Sequence, residues 1–141
     1  MGGGDCEPGD WVRMGIDNMT EEARTLALVL LKRHKQICRA YRAKPDAVTD
    51  RMIQESVIFY GDLCETAGVS FLTHGVGRFL DEIGEWCEEH GWPLLNSLAV
   101  NRETGMPGFG YDGAHGGDLL LWPNQVRRCI AFRRYPETVA D

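Results

Sequence analysis

Between Thr20 and Pro45 the chain carries one unbroken apolar stripe: Ala23, Leu26, Ala27, Leu30, Leu31, His34, Ile37, Cys38 and Tyr41 recur at steps of three and four residues. That spacing is the period of a helix with one buried face. Thr20 offers a hydroxyl to cap the first free N–H groups, Glu21 and Glu22 suit the positive end of the helix dipole, and Pro45 cannot continue the helix. A helix of this length cannot bury its stripe alone, so the rest of the chain must wrap it. The longest apolar run inside it, residues 26–31, ends at Lys32 and Arg33, far short of the roughly 20 residues a bilayer span needs. No membrane segment is expected.

The remaining pattern supplies the wrapping elements. Residues 46–55 fit a short helix, and 56–60 an extended stretch. Residues 61–67 form another short helix closed by Gly68 at the C′ position. After a connector at 69–74, residues 75–90 fit a helix with Val76, Phe79, Leu80, Ile83, Trp86 and Cys87 on one face, broken by Gly91 and Pro93. Residues 94–100 read as extended, 101–105 as a turn, and 124–132 as a last short helix around Val126, Cys129 and Ile130. The expected fold class is α+β: mostly helical, with four or five helices around a winged-helix-like core and a small β-hairpin. One globular domain is expected over 19–135, with a flexible Gly-rich arm at 1–18 and a C-terminal tail at 136–141. The winged-helix-like core falls at about 56–113.

The first ten residues, MGGGDCEPGD, lack the cationic and apolar regions of a secretory signal, so a cytoplasmic chain is expected. The five cysteines are odd in number, widely spaced and without a C-x-x-C pair. They read as free thiols that pack as small apolar groups, and no metal site is expected, Cys87 with His90 being the sole close pair. No cofactor is expected either, because the glycines at 105, 108, 110, 113, 116 and 117 match neither a P-loop nor a dinucleotide-binding pattern.

A net charge of −6 hides strong segregation. Residues 21–44 are basic, 46–90 are acidic, and Arg127, Arg128, Arg133 and Arg134 form a final basic cluster. Such polarity orients charged partners or pairs the chain with itself. For Lys32, Arg33, Lys35 and Arg39 the simplest reading is a solvated face that pairs with the acidic helix at 75–90.

Three short motifs share an order. Tyr60-Gly61-Asp62-Leu63, then Gly75-Val76-Gly77-Arg78, then Ala99-Val100 before the Gly-rich 105–110 segment resemble the C-terminal winged-helix domain of O6-alkylguanine-DNA alkyltransferases and alkyltransferase-like proteins over about 56–113. The resemblance implies a tyrosine-bearing helix at Tyr60 that contacts DNA, a helix at Gly75 that lies in the minor groove, and an intercalating residue just before it that helps flip a base. His74 stands where that family has its arginine. The family's reactive Pro-Cys-His-Arg falls at Leu95-Asn96-Ser97-Leu98, which holds no thiol, so alkyl transfer is not implied.

These readings lead to three functional expectations. The first is a non-catalytic, alkyltransferase-like winged-helix protein that binds nucleic acid, with DNA as partner, through Tyr60, His74, Gly75 and Arg78 and the wing residues Asn101 and Arg102. The second is an acidic protein-interaction module in which Asp81, Glu82, Glu85, Glu88 and Glu89 engage a basic, nucleic-acid-handling partner. The third is a small enzyme using the 101–118 loop, where His115 stands with Asp112 and Asp118. Trp92-Pro93 and Trp122-Pro123, flanking the wing, are a candidate frame for a shallow ligand pocket. Oligomeric state is left open by the sequence.

Overall fold

A computed structural model describes residues 19–42, 47–108, 122–137 and 139. The element order is α1 (Glu21–Ala40), α2 (Asp50–Ser56), β1 (Ile58–Phe59), α3 (Tyr60–Thr66), a 3₁₀ turn (Ser70–Gly75), α4 (Gly77–His90), a second 3₁₀ turn (Leu95–Leu98), β2 (Ala99–Val100) and α5 (Trp122–Ala131). The chain is mostly helical with one small two-stranded sheet, an α+β arrangement. No helix among the described residues is long and apolar enough to cross a membrane. The expected arm at 1–18 lies outside the described residues, while the tail's Val139 is buried, 6% exposed.

α1 is the hub. Ala23, Leu26, Ala27, Leu30, Leu31, His34 and Ile37 form its buried stripe, and α2, α3, α4, α5 and the second 3₁₀ turn all pack against it. Thr20 Oγ1 accepts from Ala23 N at 3.2 Å, the cap that frees no donor into the core. The Glu82 carboxylate of α4 accepts from both Thr20 N (2.7 Å) and Thr20 Oγ1 (3.0 Å), placing a negative charge on the helix N-terminus.

The basic stripe of α1 does more than face solvent. Arg33 donates from Nε to Ser56 O (3.1 Å) and from Nη2 to Glu55 O and Val57 O (both 3.0 Å). One planar guanidinium therefore closes the C-terminus of α2, where the last carbonyls have no partner within the helix. Lys35 pairs with Glu137 at 2.9 Å. The expected pairing of this stripe with the acidic helix is corrected for these two residues, whose partners lie in α2 and the C-terminal segment. Arg33→Ala should lower the unfolding free energy by about 2 kcal/mol in urea titration, with Arg33→Lys recovering little, because an ammonium cannot span three carbonyls.

Among the described residues β2 pairs in parallel with β1; the far side of the expected hairpin, after residue 108, lies outside the described residues. Ile58 pairs with Ala99 and Phe59 with Val100. A parallel pair needs a crossover, here α3, the first 3₁₀ turn and α4. Residues 95–98, read as extended from sequence, coil as a 3₁₀ turn, and all of residues 93–100 are buried. Buried irregular backbone must find hydrogen bonds from side chains. It does so: Leu94 N donates to Gln125 Oε1 (3.1 Å), Cys129 Sγ donates to Leu94 O (3.3 Å), Leu95 N donates to Cys87 Sγ (3.4 Å), and Trp122 Nε1 donates to Ser97 O (2.8 Å). α4 and α5 thus grip one segment from two sides.

Candidate nucleic-acid interface

The face singled out from the sequence is built at the junction of α3 and α4. Gly68 ends α3 with φ of +79°, the left-handed geometry that glycine adopts without strain. The chain then winds through Ser70–Gly75 as a 3₁₀ turn, three residues per turn, so Phe71 and His74 lie one above the other. Leu72 packs on the core and Val76 is buried, which pins the turn from inside and leaves Phe71 outside. The residue is 78% exposed. His74, Gly75, Gly77 and Arg78 are exposed as well, and a side chain grown at either glycine would meet nothing within 4 Å. The Arg78 guanidinium lies 4.6 Å from the centroid of the neighbouring Phe79 ring. The result is a continuous outer band of one aromatic ring, one imidazole, bare backbone and one cation.

Other residues predicted for the interface have work inside the fold. Tyr60 is partly buried, and its hydroxyl accepts from Gly108 N at 2.5 Å. A Cβ at Gly108 would sit 3.3 Å from that oxygen, so residues 107–108 pass directly over the phenol. Burial raises the Tyr60 pKa, with the Asp81 carboxylate adding to the rise. Asn101 organises the loop after β2: its N donates to Met106 O (2.8 Å), its carbonyl accepts from Gly105 N (2.7 Å) and its Oδ1 accepts from Glu103 N (2.7 Å). The expected turn at 101–105 is present, with Gly105 at φ +71°. Arg102 lies over Phe59, 4.6 Å from the ring centroid, and reaches Asp62 at 3.4 Å. It borders the band with its charge already partly answered.

The acidic alternative divides in the same way. Glu82 is committed to Thr20, and Asp81 is half-buried toward Tyr60. Glu85, Glu88 and Glu89 are exposed and share one side of α4.

The thiols nearest residues 95–98 are deeply buried. Cys87 and Cys129 are buried, and burial pushes both up to about 12. Cys87 accepts from Leu95 N while His90 Nδ1 meets Trp86 O at 2.9 Å, so this pair is turned to separate partners. Asn96 Oδ1 is buried without a partner among the described residues.

Trp122 and Pro123 line an open cavity of about 620 Å³ with Phe59, Arg102 and Met106 among its other walls. Trp92 instead stacks on His90 (4.2 Å between centroids) and meets Tyr135 edge-on at 5.7 Å. The expectation that the two Trp-Pro pairs frame one pocket is therefore corrected. His115, Asp112 and Asp118, with the glycines from 110 to 117, lie outside the described residues.

Phe71 is the residue that sequence reasoning missed. An aromatic flanked by Leu72 in an apolar connector reads as core, and the 3₁₀ winding that turns it outward carries no signature in composition. No protein-family model, curated protein or solved structure matches this chain.

Proposed function

We propose that this chain is a non-catalytic, alkyltransferase-like protein that binds nucleic acid, contacting it with the α3–α4 junction. The observation that carries the reading is Phe71, a large apolar residue held 78% exposed beside His74, Gly75 and Arg78. An exposed ring costs free energy in water unless a partner covers it, and every base offers a flat face to stack on. Gly75 and Gly77 let a sugar-phosphate backbone approach without collision, and Arg78 supplies a phosphate contact. The motif resemblance at 75–78 supports the same face. A net charge of −6 argues for affinity drawn mainly from stacking, with few phosphates neutralised.

The test is fluorescence anisotropy with short single-stranded and duplex DNA at two salt concentrations. Phe71→Ala should weaken binding about tenfold, the range of one lost base–aromatic stack. Arg78→Ala should lower the slope of log affinity against log salt by about 1. Both variants should keep wild-type stability, since neither side chain is buried. Absence of binding at low salt would overturn the reading. The exposed Glu85, Glu88 and Glu89 then favour a basic protein partner, and their joint reversal to lysine should abolish its binding.

A further inference from the structure

The far end of α1 holds a side-chain cluster that the nucleic-acid face does not use. His34 and Cys38 lie one helical turn apart. His34 is 6% exposed, packed edge-on to Tyr135, and its Nε2 lies 2.8 Å from Cys129 O, a carbonyl that can only accept. In the neutral ring Nε2 therefore carries the hydrogen and Nδ1 is the basic nitrogen; Cys38 Sγ sits beside the ring edge, 3.4 Å from Nε2 and 3.7 Å from Nδ1. Arg133 Nη1 stands 2.9 Å from the same sulfur. That guanidinium is pinned by the carbonyls of Ile130 (2.6 Å), Phe132 (3.3 Å) and Tyr41 (2.9 Å), so its charge is fixed beside the thiol.

Unlike the buried Cys64, Cys87 and Cys129, Cys38 is only partly buried and lines an open cavity of about 580 Å³. That volume suits a small-molecule ligand. Lys32, Lys35 and Arg133 stand on its wall against one acid, Glu137, which is spent on Lys35. The cavity is cationic and its floor holds a thiol, a base and a fixed cation.

We propose that Cys38 is a thiol–disulfide exchange site for anionic, carboxylate-bearing disulfides, with His34 as proton relay and Lys32, Lys35 and Arg133 as the charge filter. His34 takes the thiol proton. The Cys38 thiolate, facing Arg133, attacks one sulfur of the disulfide; a new S–S bond forms to Cys38 as the old one breaks. The departing thiolate takes the proton back from His34, and no external oxidant is consumed. Burial raises the Cys38 thiol pKa against the pull of Arg133 and lowers that of His34, so the thiol is protonated at rest and the proton passes to the ring only transiently, as the disulfide is attacked. An imidazolium formed there meets carbonyls at both Cys129 and Phe132. The site does not depend on the nucleic-acid reading.

The test uses the full chain carrying Cys6→Ser, treated with glutathione disulfide or with the cationic disulfide cystamine. Adducts are located by peptide mass mapping, and each rate is normalised to that of the same disulfide with 2-mercaptoethanol. The expected result is an adduct on Cys38 alone, with a normalised preference for glutathione disulfide of about tenfold that shrinks at high salt and in Lys32→Glu. His34→Gln should slow both disulfides alike by about a hundredfold, leaving the charge preference in place. Equal or reversed preference for the two disulfides overturns the charge filter. An unchanged rate in a folded His34→Gln overturns the relay, and adducts on Cys64, Cys87 or Cys129 at the Cys38 rate overturn the site. If His34→Gln does not fold, Lys32→Glu on the surface still decides.

Discussion

Trp122→Ala is expected to lower the unfolding free energy by about 4 kcal/mol, a large share of the 5 to 15 kcal/mol typical of a domain. Two losses combine. The ring is buried at the start of α5, and its removal leaves a void that the surrounding side chains fill only partly. Its Nε1 also donates to Ser97 O in a turn buried on all sides, so truncation removes a buried hydrogen bond from the core. Trp122→Phe separates the two terms: most of the volume stays and the hydrogen bond goes, for a loss of about 1.5 kcal/mol. Urea denaturation of both variants checks this. A Phe variant as damaged as the Ala variant would mean that the hydrogen bond dominates; an undamaged one would mean that Ser97 O finds another partner.

Acid is expected to weaken the fold through His34. Burial lowers its pKa from the ordinary 6.5, with Arg133 disfavouring the cation further and the carbonyls of Cys129 and Phe132 resisting. The sign follows from proton counting. Above pH 6.5 both folded and unfolded chains carry the neutral ring and no pH dependence arises. As pH falls below 6.5 the unfolded chain binds a proton that the native chain refuses, so stability declines, by at most about 1.4 kcal/mol per pH unit, until the folded pKa is passed. Urea midpoints measured from pH 7 to pH 5 should show this slope, and His34→Gln, which keeps an N–H for Cys129 O, should flatten it. A slope unchanged by the substitution would place the titrating group elsewhere.

The two experiments probe opposite ends of one construction. Trp122, Gln125 and Cys129 of α5, with Cys87 of α4, hold the backbone of residues 94–97 inside the core. His34 ties α1 to the carbonyl of the same Cys129. The β1–β2 pair and the loop at 101–108 emerge from that held segment, and the loop in turn covers Tyr60 at the start of α3. The junction carrying Phe71 packs on α3 and α4, the latter one of the two helices that hold residues 94–97.

Much of this was legible in the residues, and the reason is range. The helix capped by Thr20 is present over Glu21–Ala40, a few residues short of Pro45 and with Tyr41 as its C-cap, and Gly68 and Gly91 sit at φ of +79° and +71° just past α3 and α4. Helical hydrogen bonds reach four residues, caps reach three, and a left-handed glycine acts on its own backbone, so a local pattern determines them. The helical content, the core faces and the turn after Val100 follow from the same short-range rules. The tertiary structure alone decided what depends on partners far along the chain. Ile58 and Ala99 pair in parallel across a crossover, Arg33 spends its charge on α2, Tyr60 is covered by Gly108, Glu82 caps Thr20, and Arg133 is carried beside Cys38. Side chains with several donors or acceptors choose among partners by geometry, and that geometry exists only once the core of α1 has been covered. Phe71 illustrates the same limit: its apolarity belongs to the sequence, but its exposure was set by the way Leu72 and Val76 anchor the turn.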